Sequence, residues 1–134
     1  MNPKKRSCIV ALFVSVTLLL LAGCVTVSKE DIAQADFGVF PTNFEADIKN
    51  LMAQRLKDPY SAVYRFGTPR RGYCQDGLAV GHKKHFGWVV AVGVNAKNAF
   101  GAYVGEEIHY FLIAEGRVSD VTGMYSNGMA RYVD

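Results

Sequence analysis

Cysteine is the first thing this 134-residue chain runs short of. There are three, Cys8, Cys24 and Cys74, too few for the bridge framework that staples small exported domains. Histidine is equally scarce: His82, His85 and His109. A metal site takes three or four ligands. The His82/His85 pair has only Cys74 and His109 to complete it, with Lys83 and Lys84 between the two imidazoles. No uncharged apolar run is long enough to span a bilayer, which takes roughly 20 residues; the longest covers 8–21. An excess of one charge is also missing. The net charge is +3, but Lys4, Lys5 and Arg6 supply all of it, and beyond them 12 cations face 12 carboxylates. That excludes the strongly basic domain a nucleic-acid binder wants. There is no internal repeat and no low-complexity tract. A phosphate-cradling loop is absent too, since Gly101 and Gly105 do not lie between a strand and a helix.

What is present begins with the N-terminus. Three cations in the first six residues precede the apolar run, and small residues follow it at Ala22 and Gly23. A charged start, a short apolar middle and a small-residue cleavage point make an export signal. The closing Leu21-Ala22-Gly23-Cys24 resembles the lipobox of bacterial lipoproteins. That resemblance implies cleavage between Gly23 and Cys24, a thioether lipid on the Cys24 thiol and acylation of the new amine. In a Gram-negative host, Val25 rather than Asp after Cys24 implies sorting to the outer membrane, facing the periplasm. The expected organisation is a signal over 1–23, a lipidated Cys24 with a tether over 24–40, and one globular domain over 41–134.

Within that domain, 42–57 reads as a helix. Phe44, Ile48, Leu51, Met52 and Leu56 fall on one face, and Thr42 with Glu45 reads as a capping box. Arg55 lies inside the apolar stripe, either as a snorkelling stem near the helix end or as the partner of a carboxylate on the sheet. Asp58-Pro59 ends the helix. Strands are expected at 62–66, 88–94, 107–113 and 117–121. A turn is expected at 68–72, an ambiguous stretch at 73–80, and a weakly patterned tail at 122–134. Residues 88–94 are apolar on both faces and should be central. Their small face, Ala91 and Gly93, would let the helix approach. The fold class is α+β: one N-terminal amphipathic helix packed on a four- to five-stranded, mainly antiparallel sheet, because short connections exclude parallel crossovers.

The segment 95–105, NAKNAFGAYVG, is the most distinctive of the mature chain. Asn95 and Asn98 close turns with their own backbone and Gly101 and Gly105 permit bulges. On that reading it is a hairpin with a wide turn at 96–101, Tyr103 is already on the next strand, and Gly105 is a bulge. The other reading is a partner-binding loop. Lys97, Phe100 and Tyr103 combine charge with apolar area, as partner-facing loops do.

Three segments, 56–62 (LKDPYSA), Gly87-Trp88 and 95–105, together resemble a family of small bacterial envelope lipoproteins. Its members carry L-K-D-P-x-S-A after a helix and N-A-K-N-x-F-G-x-Y-x-G after a strand. The likeness runs from about Phe37 to Val121. It implies an architecture and an envelope location, and no catalytic residue. The expected function is a non-enzymatic, lipid-anchored binding or structural module with an envelope protein as partner and no cofactor, metal or nucleic acid. Two alternatives stay open. One is a small hydrolase or redox protein using Cys74 with a histidine; the other is a small-ligand binder with a pocket lined by Phe44, Tyr64, Trp88 and Tyr110.

Overall fold

A computed structural model describes residues 27–133. The expected signal, with its expected cleavage point at Gly23 and expected lipidation site Cys24, lies outside the described residues. Six strands form one antiparallel sheet: β1 (Val63–Phe66), β2 (Arg70–Gln75), β3 (Lys84–Asn95), β4 (Glu107–Ala114), β5 (Arg117–Asp120) and β6 (Ala130–Tyr132). Among the described residues three α-helices accompany them: α1 (Lys29–Ala33), α2 (Phe44–Ala53) and α3 (Thr122–Ser126). The fold is α+β. Spatial order is β5-β4-β3-β2-β6, with β1 paired to β3 past the end of β2. The sheet is thus wider than four or five strands. β2 stands partly where a turn was expected at 68–72, and β6 lies in the weakly patterned tail.

β3 is the organising element. Its first half pairs with β2 and its last four residues with β1. Its other edge pairs with β4 from Trp88 to Val94. Successive side chains of a strand point to opposite faces, so an apolar run on both parities builds two cores. On one face Val90, Val92 and Val94 join Phe111 and Ile113 under Ile48 and Met52 of α2. On the other Val89 joins Cys74, Leu112, Val121 and Ala130, with Met124 and Tyr125 of α3 packed beside them. Tyr110 and Tyr125 stack at 3.7 Å. α2 therefore covers the valine face, not the small face of Ala91 and Gly93. The position beside Gly93 is taken by the Glu106 side chain, which ion-pairs with Arg65.

α2 is shorter than the expected 42–57. Its N-cap is Asn43, without a side-chain capping bond, so Thr42 and Glu45 form no capping box. At the other end Gln54 N–H bonds back to Leu51 O at 3.3 Å and Arg55 N–H to Met52 O at 2.9 Å. These three-residue closures tighten the last turn and end the helix. Beyond it Arg55 Nη1 reaches Asp120 Oδ2 of β5 at 2.7 Å, the carboxylate pairing rather than a solvated stem.

The expected tether over 24–40 is, in its described part, a strap on the sheet. A capping box does exist, at α1: Ser28 N–H donates to Asp31 Oδ2 at 2.8 Å and Asp31 N–H to Ser28 Oγ at 3.1 Å. The Asp31 carboxylate also accepts from Lys84 Nζ at 2.5 Å. Lys84 first and Ser28 after it lower the Asp31 pKa to about 2. Phe37 then meets Phe86 edge-on at 5.8 Å, and Phe40 meets Trp88 at 5.1 Å. Trp88 Nε1 donates to Gly38 O at 3.3 Å. Aromatic residues spaced along the strap thus seat it on alternate residues of β3.

Candidate functional site

The segment 95–105 leaves β3 and folds back on itself before β4 begins at Glu107. Asn98 is its hub. Asn98 N–H donates to Ala102 O at 2.9 Å, and Asn98 O accepts from Gly101 N–H at 3.0 Å. The Asn98 side-chain oxygen accepts from Phe100 N–H at 2.9 Å and Ala102 N–H at 3.2 Å. Asn side chains favour such local closures. Gly101 sits at φ 78° and Gly105 at φ 103°, left-handed backbone that glycine adopts without steric cost. Lys97 and Tyr103 face each other in an isolated antiparallel bridge. Tyr103 therefore belongs to the neck of the loop and not to β4, as the hairpin reading had it.

A second segment braces that neck. After α2, Asp58 caps the short turn Pro59–Ser61 by accepting Ser61 N–H at 3.3 Å. Ser61 Oγ donates to Asp58 O at 2.9 Å and accepts from Lys97 N–H at 2.9 Å. Ser61 O accepts from the Tyr103 hydroxyl at 3.0 Å. The 56–62 and 95–105 segments are thus halves of one device joined at Ser61. Sequence reasoning took Asp58-Pro59 only as a helix stop. The signal that could have found the brace was the Asp-x-x-Ser spacing, a capping pattern.

Of the candidate partner residues, Lys97 and Tyr103 come together, with the ammonium 5.6 Å from the ring centroid. Phe100 stands apart at the apex and is 95% exposed. Tyr60, the chain neighbour of Ser61, is fully exposed. Behind the neck lies a cleft of about 200 Å³ whose lining includes Arg55, Lys57, Lys97, Glu107 and His109. No protein-family model matches the chain, and no curated protein or solved structure is detectably similar to it.

The other candidate chemistries separate in space. Cys74 faces His85 across the β2–β3 ladder, and His85 Nε2 lies 3.1 Å from Asp76 Oδ2. A carboxylate does therefore orient a histidine on the strand next to Cys74. The thiol itself is buried in the apolar core. Burial, with Asp76 adding to it, pushes its pKa up to about 11, so at neutral pH it is the un-nucleophilic protonated form. His82 and His85 part company: His85 is on β3 with Asp76, and His82 lies in the β2–β3 connection, its Nδ1 3.5 Å from Gln75 Nε2. Among the described residues no group of three or more His, Cys, Asp or Glu is placed to hold a metal ion. Phe44, Tyr64 and Trp88 line the α2 face, whereas Tyr110 packs on the opposite face, so the four expected to share a pocket do not. A cleft of about 730 Å³ lies between the strap and α2 and includes Phe37, Phe40, Leu51 and Val118.

Proposed function

We infer that the protein is a lipid-anchored, non-enzymatic module of the bacterial cell envelope that recognises an envelope protein through the 95–105 loop. The lipobox-like Leu21–Cys24 motif supports the anchor. The single observation that supports the loop is Phe100. The loop's hydrogen bonds explain Asn98, Gly101, Tyr103 and Ser61 and use the Phe100 backbone N–H, but they give the Phe100 side chain no structural task. A large aromatic held almost fully in water, at the apex of a loop closed by its own bonds, matches the pre-organised anchor of a binding hot spot. Lys97 and Tyr103 beneath it add a cation and a hydroxyl-bearing ring. Cys74, buried and protonated, supports no thiol chemistry.

The test is a crosslinking pull-down of the lipidated protein from its own membranes, with Phe100→Ala beside wild type. The expected result is an unchanged melting temperature and a lost partner, since truncating a hot-spot aromatic costs about 2 kcal/mol or more. Equal recovery of the same partner by both proteins would refute the loop assignment. Mass spectrometry showing an unmodified Cys24 would refute the anchor.

A further inference from the structure

The N-terminal end of the strap and the 95–105 loop lie at opposite ends of β3, and β3 measures the distance. Its 12 residues rise about 3.3 Å each, so the strand is roughly 36–40 Å long. Lys84 opens it and Asn95 closes it. Asp31 of α1 is tied to Lys84, which pins the N-terminal end of the strap to the start of β3. Cys24 is only four chain steps from Ser28, the N-cap of α1. Whatever conformation they take, they span at most about 14 Å.

The part of the sheet that projects at this end is the β2–β3 connection, residues 76–83. It carries a short apolar turn, Leu78–Val80, in which Ala79 and Val80 are exposed, Val80 at 68%. Gly81 and His82 follow in left-handed backbone, φ 89° and 53°, and Lys83 is exposed. We propose that this hairpin tip contacts the bilayer that holds the chain's own acyl groups. It would seat Val80 at the headgroup–acyl boundary, so that the sheet stands on the membrane with the 95–105 loop at the far end.

This rests on the reading of Cys24 as lipidated. The occupant follows from the leash: the tip projects from the end of β3 to which the strap is pinned, and an anchor no more than about 14 Å from Ser28 brings that end of the sheet to the membrane first. The contact is apolar in kind. Exposed Lys29 and Lys83 stand against exposed Glu30, while Lys84 is paired with Asp31 and His85 with Asp76. Among the described residues no basic patch draws the tip down electrostatically, so added salt should leave the contact in place. The acyl chains supply the affinity; the tip supplies orientation.

The experiment uses the full chain, expressed in a lipoprotein-processing host and reconstituted into phosphatidylethanolamine–phosphatidylglycerol vesicles. Val80→Cys and Phe100→Cys, both at exposed positions, carry a fluorophore, and wild type shows the background from buried Cys74. Lipids spin-labelled at the headgroup serve as quenchers. Quenching several-fold stronger at position 80 than at 100, and retained in high salt, is the expected result. Equal quenching at the two positions, on protein whose mass shows the lipid, would overturn the orientation while leaving the anchor intact. Quenching at 80 that high salt abolishes would overturn its apolar basis. An unlipidated mass would remove the anchor and the orientation together.

Discussion

Gly87 and Gly93 both lie on β3, and the space beside each decides what a methyl group would do there. At Gly87 a Cβ would come within 2.3 Å of Ile113 O, a backbone atom fixed in the neighbouring strand. At Gly93 it would meet the Glu106 carboxylate, with Cδ at 2.4 Å, the far end of a side chain that can swing into water. Gly87→Ala should therefore lower stability by about 2 kcal/mol or more, as overpacking against a rigid wall does. Gly93→Ala should displace Glu106 from Arg65 and leave the melting temperature much closer to wild type. A Gly93→Ala melt as low as that of Gly87→Ala would show that the Arg65–Glu106 side of the sheet is not free to give. Asp120 offers a second residue-scale test. Burial pushes its carboxyl up, but the Thr122 hydroxyl and amide, then His109 and Arg55, outweigh that and hold the pKa below its ordinary 3.8. A carboxyl depressed on folding contributes stability that is present above the unfolded pKa and lost as pH falls through the folded one. Asp120→Asn should thus be less stable than wild type at neutral pH, and the gap should narrow as pH drops below about 4. Urea midpoints at several pH values would check this. A gap that is constant with pH would mean that the carboxylate's charge contributes nothing.

The elements differ in how plainly the sequence announced them. β3 and β4 were legible because their apolar residues fill both parities of a run longer than a turn can be. The α2 stripe was legible for the same reason at helical period, although the pattern ran past Ala53, where the last turn tightens. β2 was hidden because Arg70, Arg71 and Gly72 have the composition of a turn. What makes them a strand is remote: Arg70 lies over the Tyr132 ring at 4.6 Å, Arg71 over Phe37 at 5.5 Å, and Gly72 faces Gly87. β6, three residues long, carries too little pattern to register. The strap escaped notice because its affinity for the sheet is made of single aromatic contacts with residues far along the chain. The loop hub Asn98 could be anticipated from its chemistry, whereas the bond from Ser61 to the loop joins positions 36 residues apart and has no local trace. The strap yields its own prediction. Edge-to-face aromatic pairs contribute about 0.5–1.5 kcal/mol each beyond area. Replacing both Phe37 and Phe40 with Ala should therefore cost about 1–3 kcal/mol and open residues 35–43 to limited proteolysis well below the melting temperature. Cleavage rates equal to wild type would show that the strap is held by α1 and Lys84 instead.

At the scale of the whole molecule, the sheet is a shared wall between two cores. Val90, Val92 and Val94 serve the α2 side while Val89, on the same strand, serves the α3 side. β4 divides in the same way, with Phe111 and Ile113 on one side and Leu112 on the other. Neither core can be dismantled while the other keeps its packing, because removing α2 exposes the strands on which α3 also rests. Buried apolar surface left open to water costs about 25 cal/mol per Å², so a half-unfolded state with one bare face is penalised from both sides. The domain should unfold as one cooperative unit. The chain's own residues provide separate reporters. Its single tryptophan, Trp88, packs with the α2 core against Phe40, and the stacked Tyr110–Tyr125 pair belongs to the α3 core. Trp88 fluorescence and near-ultraviolet tyrosine circular dichroism should therefore give coincident urea transitions. Tyr125→Ala, which removes a ring from the α3 side alone, should shift both curves to lower urea by the same amount. A transition that moves in the tyrosine signal while Trp88 keeps its wild-type midpoint would show that the two cores melt independently, and the shared-wall account of this fold would then be wrong.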